Sequence, residues 1–131
     1  MVTNVLLKAD DVRIALDLNE AWEEYNPESK MVTAVLVGRS DVLENIDVDK
    51  VLEEYSLAID MANNDVKATA DLSEKYDLFP SAVAEKAIPN LNLVALQGDE
   101  LKEALNGYLT VLYNQNPKSI GGELPGDDFY R

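Results

Sequence analysis

The sequence predicts an α/β fold in which a few strands are flanked by helices. Residues 31–37 and 91–96 are almost continuously apolar, and residues 31–37 are also rich in branched side chains, which is typical of a strand covered on both faces. Residues 12–18 alternate apolar with polar or small side chains, as a half-buried strand does, so their even-numbered positions should face the core. Elsewhere, apolar residues recur at three- and four-residue steps, which indicates helices.

The N-terminal region is predicted to contain a short helix, the first strand and a charged loop. The helix covers residues 2–8, and the loop covers residues 19–30, with one helical turn expected around residues 20–25. Trp22 is the large aromatic residue of this loop, and with Tyr25 it is a candidate aromatic wall for a ligand. The alternative is that these rings are packing residues near the end of a strand.

A run of helices is predicted after the second strand. Ser40 should cap a short helix that ends at Ile46, and Asp47 should cap a longer one, because short polar side chains accept hydrogen bonds from the free N–H groups of a first turn. The apolar positions of the longer helix form one stripe: Val48, Val51, Leu52, Tyr55, Ile59 and Ala62. A further helix should then run to about Tyr76.

Two more helices are predicted on either side of the third strand, residues 91–96. Pro80 marks the start of the earlier one, since proline is well tolerated in a first helical turn. Gly98, Asp99 and Glu100 open the later one, with acidic side chains at the positive end of the helix dipole. Only about three strands are expected, fewer than the roughly 5–6 of a mean sheet, which suggests a piece of a larger protein.

Composition excludes several classes of function. The chain has 11 basic and 25 acidic residues, and its net charge of −14 repels nucleic-acid phosphates and anionic lipids. It has no histidine and no cysteine, so the usual general base near neutral pH, the thiolate nucleophile and most zinc sites are missing. We therefore expect no catalysis, no cofactor, no metal site and no nucleic-acid partner.

Two local patterns suggest chemistry but have simpler interpretations. Asp47 and Asp49 begin like a calcium loop, yet the third oxygen ligand and the turn glycine are missing, so helix capping is the better interpretation. Gly121 and Gly122 lack the preceding strand and the Gly-Lys-Ser/Thr of a phosphate-binding loop. A loop that needs positive backbone angles explains them better.

The C-terminal third carries several short motifs that form one pattern. They are AIPN at 87–90, GYL at 107–109, VLY at 111–113, NPKSIGG at 116–122, LP at 124–125 and DDFY at 127–130. The pattern resembles the ending of bacterial ABC-importer solute-binding proteins of the nitrate, sulfonate and taurine type. Residues 11–18, Trp22 and residues 31–37 resemble the same proteins, so the resemblance spans nearly the whole chain but only part of the family's length.

The resemblance implies a partial periplasmic-binding-protein-like lobe of type II. Proteins of this family hold a small solute in the cleft between two α/β lobes and deliver it to a membrane permease. Residues 1–30 would be the end of the second lobe with the approach to a crossover, and residues 31–131 the return segment of the first lobe with the C-terminal helix and an irregular tail. Thr33 would face the cleft, and we take Trp22 and Thr33 as the predicted ligand-binding residues.

The resemblance also implies where the parent protein works and with what. It would be extracytoplasmic, either periplasmic or a membrane-anchored lipoprotein, with a small-molecule solute and an ABC permease as partners. The first residues lack the basic start and the cleavage site of a signal peptide, so a signal is expected outside this chain. By this resemblance, Gly126 and Arg131 depart from the family's tail, and the rest of the family's first lobe and the opening of its second lobe would lie outside this chain. We therefore expect that the chain alone binds no solute and that unpaired strand edges make it self-associate.

Two other interpretations stay open. A stand-alone acidic α/β interaction domain would share only the tail with the importer proteins, and a complete set of paired strand edges would favour it. A carboxylate-based hydrolase would need two acidic groups that converge in a deep pocket.

Overall fold

The computed structural model describes residues 2–130, and its regular elements are helices. Helices make up 61% of the structure, and no strand occurs among the described residues. The predicted α/β fold, including the partial periplasmic-binding-protein-like lobe of type II, is therefore wrong.

Seven α-helices and three short 3-10 helices follow one another along the described chain. The α-helices are α1 (Val2–Leu6), α2 (Leu18–Tyr25), α3 (Ser40–Leu43), α4 (Val48–Asn64), α5 (Val66–Lys75), α6 (Ser81–Ala87) and α7 (Gly98–Gln115). The 3-10 helices are Ile88–Asn90, Pro117–Ile120 and Asp127–Phe129. Each predicted helix is thus confirmed to within a few residues at its ends, but the predicted loop at residues 19–30 is wrong in its first half, which belongs to the eight-residue helix α2.

Helices α2, α4 and α5 each begin after an aspartate whose side chain accepts hydrogen bonds from free backbone N–H groups of the first turn. The Asp47 carboxylate accepts from the Lys50 N–H at 3.1 Å and begins α4, as predicted. Asp65 caps α5 in the same way. The prediction for Ser40 is wrong, because Arg39 occupies the cap position of α3 and makes no capping bond with its side chain.

The three segments predicted as strands are stretches of chain that lie between helices without a pairing partner. Residues 12–17, 29–39 and 92–97 belong to neither a helix nor a strand. The backbone groups of residues 12–16 and 31–38 make no hydrogen bond to any other residue in the range 2–130. Apolar and branched side chains favour an extended backbone, but a strand also needs a neighbouring strand to bond, and the described chain provides none.

The first of two compact units contains the chain up to Arg13 together with Gly38–Ala95. Its centre is the contact of α5 with α6 and the following 3-10 turn, where Ala70, Ala84 and Ile88 are buried together. Ala70 is fully buried, with 0% of its surface exposed. Because two of these three side chains are methyl groups, the two helices approach each other closely.

A polar network joins α5 to the start of α6 at the surface of this unit. The Ser81 hydroxyl donates to Asp71 Oδ1 at 2.7 Å, and Lys67 Nζ donates to Asp71 Oδ2 at 3.0 Å. The hydrogen bond from Ser81, followed by the one from Lys67, lowers the pKa of Asp71 below its ordinary value. The hydrogen bond to Asp71 raises the pKa of Lys67 in return.

The second unit contains Ile14–Val37 and the chain from Leu96 onward. Its main element is α7, on which Leu105 is buried. Trp22 of α2 packs against Tyr108 of α7, with ring centroids 5.0 Å apart.

Few apolar side chains are buried in either unit. Among residues 2–130 they are Val48, Ile59, Ala62, Ala70, Ala84, Ile88 and Leu105. Many large apolar side chains are exposed instead. They include most of those in residues 12–17, 29–39 and 92–97, which we call the three nonhelical segments. No helix of the described chain combines the length and apolar character that crossing a membrane requires.

Candidate functional site

Trp22, the first predicted ligand-binding residue, is half-buried in a ring contact. Its indole is inclined by 47° to the ring of Tyr108 on α7. The indole Nε1–H is buried and has no hydrogen-bond partner within residues 2–130. Packing is therefore an important role of Trp22 in this structure, and its ligand-binding role stays a prediction.

Thr33, the second predicted ligand-binding residue, is exposed on the nonhelical segment of residues 29–39. Within residues 2–130 it makes no hydrogen bond, and no hydrogen bond or ring contact joins it to Trp22. The two predicted residues therefore make no direct hydrogen bond or ring contact with each other among the described residues. The ligand-binding role of Thr33 also stays a prediction.

The start of α7 and the C-terminal tail form a small open hollow of about 190 Å³. Its lining residues are Gly98, Asp99, Lys102, Asp127 and Tyr130. Lys102 Nζ donates to Asp127 Oδ1 at 2.8 Å and lies 6.0 Å from the centre of the Tyr130 ring. The hydroxyl of Tyr130 is buried without a partner among the described residues.

The ion pair in this hollow shifts the pKa of each partner toward its charged form. The hydrogen bond from Lys102 lowers the pKa of Asp127, and the same bond raises the pKa of Lys102. The Asp127 side chain is also 92% exposed, so the deep pocket that a carboxylate-based hydrolase requires is not formed here.

A second open hollow, of about 460 Å³, lies between the last turns of α7 and the tail. It is lined mainly by apolar residues, among them Leu109, Leu112, Ile120, Leu124 and Phe129. Neither Trp22 nor Thr33 lines either hollow. Within residues 2–130, acidic side chains do not gather in groups that could hold a metal ion.

Two of the nonhelical segments expose large apolar side chains. In residues 31–37, Val35, Leu36 and Val37 have 43%, 62% and 72% of their surfaces exposed. In residues 12–17, Ile14 and Leu16 are 58% and 65% exposed. Ile14 and Leu16 belong to the even-numbered face that should lie on a core, so that prediction is wrong for the chain by itself.

The third nonhelical segment, residues 92–97, contacts α4 through a hydrogen bond to its backbone. The Asn63 amide at the end of α4 donates to the Leu93 carbonyl at 3.0 Å. Val94 is nevertheless 62% exposed, and the flanking Leu91 is 56% exposed. All three nonhelical segments therefore present apolar side chains to solvent.

An exposed apolar backbone with free N–H and C=O groups is suited to bind another polypeptide. Adding a strand to such a segment satisfies the backbone groups and buries alternate side chains. Small solutes are bound instead in concave sites that surround most of their surface. Residues 12–16 and residues 31–37, whose backbones make no hydrogen bond within residues 2–130, are therefore each a candidate protein-binding segment.

The ion pairs that join the tail to α7 and link residues within α5 were not predicted from the sequence. Lys102 and Asp127 are 25 residues apart, and nothing in their local sequence indicates that they pair. The Lys67–Asp71 pair is different, because a spacing of four residues on a helix is a recognisable signal.

Comparisons with known proteins returned nothing similar. No family model, no curated protein and no solved structure matches the chain. The resemblance to importer solute-binding proteins therefore rests on the sequence motifs alone.

Proposed function

We propose that this chain is part of the extracytoplasmic solute-binding component of an ABC importer. In that role the complete protein captures a small solute for a membrane permease and carries out no catalysis. The motifs between residues 87 and 130 support the proposal by their resemblance to the end of such proteins. Localisation outside the cytoplasm and partnership with a permease are parts of the same proposal.

One structural observation carries the proposal. The three nonhelical segments carry large apolar side chains of which most are exposed, and the described chain leaves these exposed side chains uncovered. Burying apolar surface contributes roughly 25 cal/mol per Å², so an uncovered surface of this kind favours a partner. Further polypeptide of the same protein would supply that cover, and with it the greater part of the solute site.

A second candidate is a stand-alone acidic interaction domain without catalysis. The same exposed segments support it, because a foreign protein could cover them as well as a missing part of the parent. The charge of −14 favours basic partners for such a domain.

Fractionation of the cells that naturally express the sequence separates the two candidates. An antibody against residues 98–115 would be used on cytoplasmic, extracytoplasmic and membrane fractions. We expect a polypeptide clearly larger than 14.5 kDa, outside the cytoplasm, that is retained by the detergent-solubilised permease. A 14.5-kDa band confined to the cytoplasm would exclude the importer and leave the interaction domain.

A further inference from the structure

The stretch of residues 31–37, which we call the free segment, combines features that favour strand pairing. It contains three valines, a threonine and a leucine, and it has no charged residue, no proline and no glycine. Its backbone makes no hydrogen bond within residues 2–130. A seven-residue run of this composition with unpaired backbone is the signature of a segment that pairs with copies of itself.

The charges next to the free segment are already paired within the chain. On one side, Lys30 Nζ lies 3.6 Å from Glu23 Oε1. On the other side, the Arg39 guanidinium donates two hydrogen bonds to the Asp41 carboxylate in a bidentate ion pair, at 3.0 and 2.7 Å. The free segment is therefore an electrically neutral surface on a chain whose net charge is −14.

We infer that the free segment binds the free segment of a second copy as an antiparallel pair centred on Ala34. Two copies repel each other through their net charge, so contact between their two neutral segments involves the least electrostatic repulsion. Parallel pairing in register would place Lys30 on Lys30 and Arg39 on Arg39, which is unfavourable. The antiparallel pair instead sets Met31 against Val37 and Val32 against Leu36.

This arrangement is symmetric, because the same residues face each other from both copies, as in a two-fold dimer. Seven paired residues extend over roughly 23 Å at about 3.3 Å per residue. A two-stranded pair is only marginally stable in water, so association should be weak and should increase with protein concentration. It should also increase with salt, which screens the repulsion between the two acidic bodies.

The inference stands apart from the importer proposal, since it depends only on the free segment of the isolated chain. If the isolated chain does not associate, the cell-fractionation result is unaffected. If the fractionation excludes the importer, the association of the isolated chain is likewise unaffected.

Sedimentation velocity on two matched variants tests the site of association. Leu36→Lys places a charge in the free segment, whereas Leu57→Lys makes the same change at a similarly exposed position on α4, 55% against 62%. Both substitutions reduce the net negative charge equally. We expect Leu36→Lys to weaken association by at least about tenfold, because both symmetric Leu36–Val32 pairs are lost, and Leu57→Lys to behave like the parent chain.

Disulfide trapping tests the direction of pairing. Because the chain has no cysteine of its own, only the introduced cysteines can form a disulfide. Met31→Cys and Val37→Cys proteins of different mass would be mixed and mildly oxidised. In the antiparallel pair these positions face each other within the 4.4–6.8 Å Cα separation typical of a disulfide, so the mixed product should dominate. Predominant Met31→Cys homodimers would overturn the antiparallel arrangement. A chain that stays monomeric at every concentration and salt level, or equal association of both lysine variants, would overturn the inference itself.

Discussion

Replacing Ala70 with glycine tests the small core of the first unit. Ala70 is fully buried between α5 and α6, at 0% exposure. Losing its methyl group removes about 0.8 kcal/mol of burial, and glycine in a helix interior costs about 0.9 kcal/mol relative to alanine. Ala70→Gly should therefore lower the free energy of unfolding by about 1.7 kcal/mol.

Ala58→Gly is the matched control for this substitution. Ala58 is exposed in the interior of α4 in the same unit, so glycine there should cost only the helix-propensity part, about 0.9 kcal/mol. Urea unfolding of both variants, followed by far-ultraviolet circular dichroism at low protein concentration, measures the difference. Equal losses for the two variants would refute the packing of α5 against α6.

Two further predictions concern the surface networks. Removing the Ser81 hydroxyl with Ser81→Ala should raise the pKa of Asp71, measured by NMR titration. Because the folded pKa of Asp71 lies below its unfolded value, the contribution of Ser81 through this carboxylate is present above the unfolded pKa and is lost as pH falls through the folded pKa. A difference in stability between the two proteins that stayed the same across this pH range would contradict the assignment. Lys102→Gln should raise the pKa of Asp127 and speed proteolysis of the tail after residue 120, and an unchanged cleavage rate would show that the ion pair does not fasten the tail.

The helices could be predicted from the sequence because their signals are local. Asp47 and Asp65 precede their helices directly, and the apolar stripe of α4 is visible in its three- and four-residue spacing. Buried Val48, Ile59 and Ala62 all belong to that stripe, whereas its Val51 and Tyr55 are exposed. Spacing thus predicts which face a helix would bury, but not how much of that face finds a partner.

The strands could not be predicted from the sequence, because a strand depends on a partner distant in the chain. Residues 12–17 have the alternation of a strand and residues 31–37 have the branched side chains of one, yet neither segment is paired. The surroundings of Trp22 could not be predicted for a related reason. Its indole ring is suited by chemistry to contact a ligand, but in the structure it packs against Tyr108, which lies 86 residues further along the chain.

Hydrogen–deuterium exchange of the backbone amides of residues 31–37 tests the central claim most directly. The account predicts that in dilute solution these amides exchange about as fast as in an unfolded peptide, and that they become protected as protein concentration rises. Amides of α7 in the same sample serve as an internal reference for folded structure. Strong protection of residues 31–37 at the highest dilution would mean that the chain pairs this segment internally, which would contradict the account.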